Sequence, residues 1–259
     1  MKKGPTRMRH LVLVLLLILL TACGKKGPLV YPEMLVPSAP SAIEARQIGA
    51  AVRVGFDIPS RDLAGRQLSQ LSEIKVYKRD EPGDLEQTCN SCTADFVMFR
   101  AISLDSQQQP VQRYGNRLVY LDEKVEFDHS YTYRLAALTK DGQEGSLSAP
   151  VRVRMLPVSV APILKATSYP TEIVLEIMDQ AAKGGELLGY SIYRSVKGEH
   201  YPYIPLTNAP VRNSRYVDNV LDRDRTYVYR VRRAVISDTG VVSEGVVSNE
   251  AEGRLKNDE

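Results

Sequence analysis

The chain has 259 residues, 43% of them hydrophobic, and carries 34 Lys plus Arg against 31 Asp plus Glu, a formal net charge of +3. Four of the basic residues, Lys2, Lys3, Arg7 and Arg9, precede Cys23 and no acidic residue does, which leaves 30 basic against 31 acidic side chains in the remainder. The basic excess is therefore no evidence for nucleic-acid binding, which requires a clustered basic face, and the length suits one large or two ordinary domains.

The basic N-terminus runs into ten consecutive apolar residues, Leu11 to Leu20, and then into Thr21, Ala22 and Cys23. Basic region, short apolar core and small residues form the layout of a secretory signal. Ten residues are too few for a transmembrane helix, which needs about 20. Leu20-Thr21-Ala22-Cys23 resembles a bacterial lipobox. The resemblance implies cleavage after residue 22 and a mature chain that begins with an acylated Cys23. A covalent lipid on Cys23 is then the only attached group expected, with no cofactor, and the lipid bilayer is the first partner. The residues Cys23-Gly-Lys-Lys-Gly-Pro-Leu29 also resemble the attachment motif of a family of Gram-negative lipoproteins. That family includes the small lipoprotein of the outer-membrane lipopolysaccharide-assembly translocon. Gly24 is not the Asp that retains enteric lipoproteins in the inner membrane, so the resemblance favours the outer membrane.

Residues 23–40 contain Pro28, Pro32, Pro37 and Pro40. Proline fixes φ and removes a backbone donor, so the segment reads as an extended tether.

From residue 41 the pattern changes to short runs of period-two alternation separated by Gly, Pro, Asp and Ser. Val52, Val54 and Phe56 alternate, then Ile74 and Val76, Leu118 and Tyr120, Tyr131, Tyr133 and Leu135, Val151 and Val153. Such spacing predicts an all-β sandwich or barrel. The second half repeats the first. Tyr131-Thr-Tyr-Arg-Leu135 returns 96 residues later as Tyr227-Val-Tyr-Arg-Val231. Ile74-Lys-Val-Tyr-Lys78 is echoed by Ser191-Ile-Tyr-Arg194, and Ser146–Pro150 by Gly245–Asn249. A period near 100 residues is the size of one immunoglobulin-like sandwich.

Both copies resemble fibronectin type III domains. Val125 stands six residues before Tyr131, and Leu221 six before Tyr227. This is the spacing of a tyrosine corner, in which the hydroxyl bonds back to upstream backbone. Tyr190-Ser-Ile-Tyr-Arg194 matches the family's strand C. The Trp usual on strand B is absent; Phe56 and Ile177 occupy the equivalent places. The resemblance implies two tandem sandwiches, at 41–156 and 157–254, after a signal peptide at 1–22 and the tether at 23–40, with residues 255–259 as a tail. Tyr131 and Tyr227 are expected to be structural.

Copy one carries about twenty extra residues between strands C and F. Tyr77 to Tyr131 spans 54 residues, whereas Tyr193 to Tyr227 spans 34. Cys89 and Cys92 lie in that insertion. In an oxidising compartment a disulfide is their default state. A half zinc site and a thioredoxin-like pair are the alternatives. The first lacks four ligands, with His129 and His200 in different copies; the second lacks the helix N-terminus that lowers a thiol pKa. No nucleophile elbow, zinc-protease motif or phosphate-binding glycine loop is present. The acidic run Asp122, Glu123, Glu126 and Asp128 reads as a solvated loop, with a weak calcium site as the sharper alternative. No catalytic and no metal-binding residues are therefore expected. The reading is a membrane-anchored lipoprotein acting as a non-enzymatic protein-binding or scaffold module of the cell envelope, its partner another envelope protein or an outer-membrane assembly. The alternatives are a carbohydrate-binding accessory lipoprotein, with Tyr201 and Tyr203 as stacking candidates, and a thiol-redox protein using Cys89 and Cys92.

Two predictions follow from the cysteines. Cys23→Ala should accumulate as an unprocessed precursor without lipid; palmitate-labelled protein of mature size would overturn the lipobox reading. Cys89 and Cys92 should resist alkylation until reduced. Because the closed loop is short, replacing both with Ser should cost no more than about 1–3 kcal/mol.

Overall fold

The computed structural model describes residues 31–82, 96–106, 110–158, 160–180, 185–237 and 240–257. Residues 1–35 and 36–259 form two separate units. In the first, Pro32–Met34 make one 3₁₀ turn with proline at its start. That is the helical position where a missing N–H costs nothing.

The second unit is all β. Copy one contributes β1 (Ser41–Ile48), β2 (Ala51–Asp57), β3 (Leu71–Pro82), β4 (Val97–Ser103), β5 (Val111–Tyr114), β6 (Arg117–Asp122), β7 (His129–Thr139) and β8 (Val151–Arg154). Copy two contributes β9 (Ile163–Ser168), β10 (Ile173–Met178), β11 (Glu186–Val196), β12 (Arg215–Asp218), β13 (Tyr227–Ile236), β14 (Val242–Val247) and β15 (Ala251–Gly253). In copy one, β1-β2-β6-β5 face a second sheet, β4-β3-β7-β8. In copy two, β9-β10-β12 face β11-β13 with β14 and β15. Both are β-sandwiches.

Two hydrophobic clusters fill the sandwiches. One centres on Val54, Phe56, Val76, Tyr120, Tyr133 and Leu135. The other centres on Ile173, Leu175, Ile177, Ile192, Tyr229 and Val231. Phe56 and Ile177 do stand at equivalent core places, on β2 and β10.

The two sandwiches are not merely in series. β1 pairs in parallel with β14, Ile48 opposite Glu244. This joins β11-β13-β14 of copy two to β1-β2-β6-β5 of copy one in a single sheet. Strand β2 is consequently buried on both faces: Val52, Val54 and Phe56 point into the core, while Arg53 on the opposite face is 6% exposed. Val36 to Ser38 also belong to this unit, because Ser38 N–H donates to the Arg61 carbonyl and Ser146 N–H to the Pro37 carbonyl.

The repeat extends to polar side chains the alternation did not single out. Asp122 at the end of β6 accepts the Tyr133 hydroxyl at 2.8 Å and pairs with Lys78 at 2.7 Å. Asp218 at the end of β12 accepts the Tyr229 hydroxyl at 2.8 Å and pairs with Arg194 at 2.8 Å. Each carboxylate bridges the two sheets of its sandwich. Asp122 is thus no part of a solvated loop; it is 2% exposed and its oxygens are taken. Lys78 is held further by the faces of Tyr131 and Phe99, at 4.2 and 4.7 Å from the ring centres. A second repeated device uses a serine. Ser148 N–H donates to the Leu135 carbonyl and its Oγ accepts the Leu135 N–H; Ser248 does the same with Val231. The echo between the copies therefore aligns Ser148 with Ser248, one residue beyond the match suggested by Ser146–Pro150 and Gly245–Asn249.

Removing one partner of a buried ion pair leaves the other charge without compensation, at a cost of about 3–5 kcal/mol. Asp122→Ala should show a loss of that size in urea unfolding, because Lys78 stays behind. A loss no larger than that of an exposed acid such as Glu123→Ala would refute the bridging role.

Candidate functional site at the junction of the two repeats

The junction is built from side chains on the outer face of the continuous sheet. Arg53 projects from β2 away from the copy-one core. Its guanidinium donates to Glu244 Oε1 at 3.1 Å, to the Tyr193 hydroxyl at 3.0 Å and to the Tyr203 carbonyl at 3.0 Å. Tyr193, on β11, donates its own hydroxyl to Glu244 Oε2 at 2.5 Å. Arg53 and Glu244 side chains are 7% and 5% exposed. Burial works against the Arg53 charge, but Glu244 and then Tyr193 outweigh it, and the pKa ends above its ordinary value. Burial, reinforced by Glu244, pushes the Tyr193 hydroxyl far up. Arg232, close by on β13, is lowered by burial, with the Arg53 and Arg230 charges adding to the effect.

The hairpin between β1 and β2 seats this cluster. Gly49 takes φ +61° and donates its N–H to the Glu244 carbonyl at 2.8 Å. A Cβ there would meet the Arg232 guanidinium at 2.8 Å. Glycine is needed both for the turn, where a positive φ suits a two-residue hairpin, and for the approach of copy two. Gln47, 2% exposed, accepts the Leu156 N–H at 2.9 Å and donates to the Leu156 carbonyl at 2.6 Å. One amide side chain thereby fixes the start of the connection between the copies.

A second set of contacts joins β5 to the loop after β11. Gln112 donates to the Tyr201 carbonyl at 2.8 Å and accepts the Tyr203 N–H at 2.7 Å; the Tyr114 hydroxyl bonds Gln112 and accepts the same N–H. Beside these contacts lies an open cleft of about 990 Å³, lined by Gln112, Arg113, Arg194, Glu199, His200 and Arg225 among others. The Ser195 hydroxyl in its wall donates to the main-chain carbonyls of Glu199 and His200.

The residues singled out from sequence fall as follows. The Tyr131 hydroxyl accepts the Glu126 N–H at 2.8 Å, and the Tyr227 hydroxyl the Asp222 N–H at 2.9 Å. Both rings sit in the cores, and Tyr227 also lines the cleft beside the junction. Tyr201 and Tyr203 do not form an open stacking face. Tyr201 is half-buried, with its hydroxyl on Glu250 at 3.0 Å and its ring under Arg230 at 4.3 Å; Tyr203 is half-buried beside Gln112. Leu20, Thr21, Ala22, Cys23, Cys89 and Cys92 lie outside the described residues. Among the described residues no group of three or more His, Cys, Asp or Glu is placed to hold a metal ion. Gln47, Arg53, Gln112 and Glu244 had no motif to flag them. The one available signal was Arg53 itself, a charge inside the alternating run Val52–Phe56.

No family model matches the chain, and no curated protein matches it. Solved structures do match. One is the chicken CNTN1 FN1–FN3 domains, with 18% identity over 85% of this chain and 68% of that chain, at a TM-score of 0.29.

Tyr133, Tyr193 and Tyr229 are all held above the ordinary tyrosine value of 10.0, first by burial and then by neighbours that include Asp122, Glu244 and Asp218 respectively. The folded chain keeps these protons where the unfolded chain releases them. Their contribution is complete below that ordinary value and is lost as pH rises beyond it, by up to about 1.4 kcal/mol per pH unit for each group. The urea midpoint should fall steeply in that alkaline range, with tyrosinate absorbance from these rings appearing only on unfolding, and Tyr193→Phe should make the fall shallower. Full tyrosinate absorbance in a still-folded chain would refute the assignment.

Proposed function

We propose that this chain is a lipid-anchored, non-enzymatic protein-binding or scaffold module of the cell envelope, with the outer membrane favoured. The observation that carries the reading is the order of parts. Leu20-Thr21-Ala22-Cys23 closes a signal-type segment, a proline-rich stretch follows, and two sandwiches occupy what remains. Firm anchoring needs more than one acyl chain, which bacterial lipoprotein modification of Cys23 supplies. Sandwiches of this kind carry many unrelated activities, so fold alone assigns none. Support for binding rather than catalysis comes from the junction, whose charged groups are spent on one another, and from the Ser195 hydroxyl, engaged with main-chain carbonyls. A carbohydrate-binding role is less well supported, because Tyr201 and Tyr203 are half-buried.

A photoreactive amino acid at Val220, which is 76% exposed, tests the reading in living cells. One discrete adduct with an envelope protein, lost in Cys23→Ala, is the expected result. No adduct at Val220 or Val97, together with binding on a glycan array, would replace it with the carbohydrate reading.

A further inference from the structure

Tandem domains joined by a short connection move relative to one another by default, unless the interface between them is extensive. Three contacts between the copies oppose such movement here. One parallel backbone pair, Ile48 opposite Glu244, joins β1 to β14. Gln112 and Tyr114 hold the 201–203 backbone. Arg53 is buried against Glu244 and Tyr193.

Comparison of the two copies shows what the last contact is for. Tyr77 in copy one stands where Tyr193 stands in copy two, and Glu144 stands where Glu244 does. The Tyr77 hydroxyl donates to Glu144 at 2.5 Å, as Tyr193 does to Glu244. In copy one the neutralising cation is internal: Lys75 reaches Glu144 at 2.7 Å on an open surface, the two side chains 25% and 35% exposed. Copy two has Ser191 in the place of Lys75, and the Glu244 carboxylate takes its cation from copy one instead. The same Tyr–Glu pair is self-contained in one sandwich and completed by the neighbour in the other.

We propose that the two sandwiches fold and unfold as one body held at a fixed angle, and that the Arg53–Glu244 pair is the contact that couples them. A buried, hydrogen-bonded pair is suited to this task. It tolerates no partial separation, since opening the junction strips each charge of its partner before water can replace it. An apolar contact would slide; the Arg53 fork, shared among Glu244, Tyr193 and the Tyr203 carbonyl, admits one register.

The chain contains no Trp, so a single introduced Trp reports one sandwich alone. Phe99→Trp and Tyr216→Trp place probes beside the first and second cores, respectively. In urea unfolding of the lipoprotein in maltoside micelles, both probes should give one common midpoint. Separate midpoints would overturn the single-body proposal. Glu244→Ala should split the two probes, on the order of 1 M urea apart at the usual m-values, while Glu176→Ala, on the exposed Lys165–Glu176 pair within copy two, should leave them together. Coincident midpoints in Glu244→Ala would remove the coupling role from Arg53–Glu244. If Glu244→Ala does not fold, Tyr193→Phe, which deletes only the shared hydroxyl, serves as the same test: a split supports the coupling and continued coincidence refutes it.

Discussion

A carboxylate taken out of water must find a cation, and in this chain the choice of cation decides what is joined to what. Asp122 draws in Lys78, and Asp218 draws in Arg194; each pair spans the two sheets of one sandwich. Glu244 draws in Arg53, and that pair spans the two sandwiches. In every case a tyrosine hydroxyl donates to the same carboxylate, from Tyr133, Tyr229 and Tyr193. The second donor matters because a carboxylate has more lone pairs than one cation can satisfy, and a buried oxygen left bare costs as much as a lost bond. The apolar clusters give each sandwich its driving force. These charged bridges determine which surfaces can face each other.

The consequence for the proposed role is geometric. Two sandwiches on a loose connection would offer their faces to a partner in many orientations, and ordering them would oppose binding. With β1 paired to β14 and Arg53 buried against Glu244, a fixed angle between the sandwiches would complete that ordering in the free chain, and one fixed outline would suit the scaffold role proposed above.

Much of the fold was legible in the sequence, for a simple reason. Alternation along β2, β7 and β13 is a one-dimensional trace of a pleated strand with one face in a core, and the pairs Val125–Tyr131 and Leu221–Tyr227 trace a local corner. Polar bridges leave a weaker trace. Asp122 sits among Glu123, Glu126 and Asp128, so its neighbours in sequence suggest solvent, whereas its neighbours in space are Lys78 and Tyr133. Its recurrence as Asp218, at the same 96-residue offset as the tyrosines, was the available clue. The junction left almost none. Gln47, Gln112 and Glu244 are ordinary surface residue types, and what engages them is distant in sequence: Leu156 for Gln47, the 201–203 backbone for Gln112 and Arg53 for Glu244. The parallel pairing of β1 with β14 cannot be read from either strand alone, because each already has an antiparallel partner that accounts for its pattern.

The contrast between Glu144 and Glu244 shows how little change in sequence separates a surface detail from a coupling element. Around Glu144 the carboxylate and Lys75 stay partly exposed, at 35% and 25%, where water screens an ion pair more than it does a buried one. Around Glu244 the lysine position is Ser191, too short to reach and carrying no charge. The carboxylate then lies open to a cation from outside, and Arg53 of copy one supplies it. Burying the pair raises what is lost if it breaks far more than it raises what is gained when it forms. That asymmetry is what converts an unremarkable Tyr–Glu pair into a lock: the closed junction need not be exceptionally stable, because any partly open junction is worse.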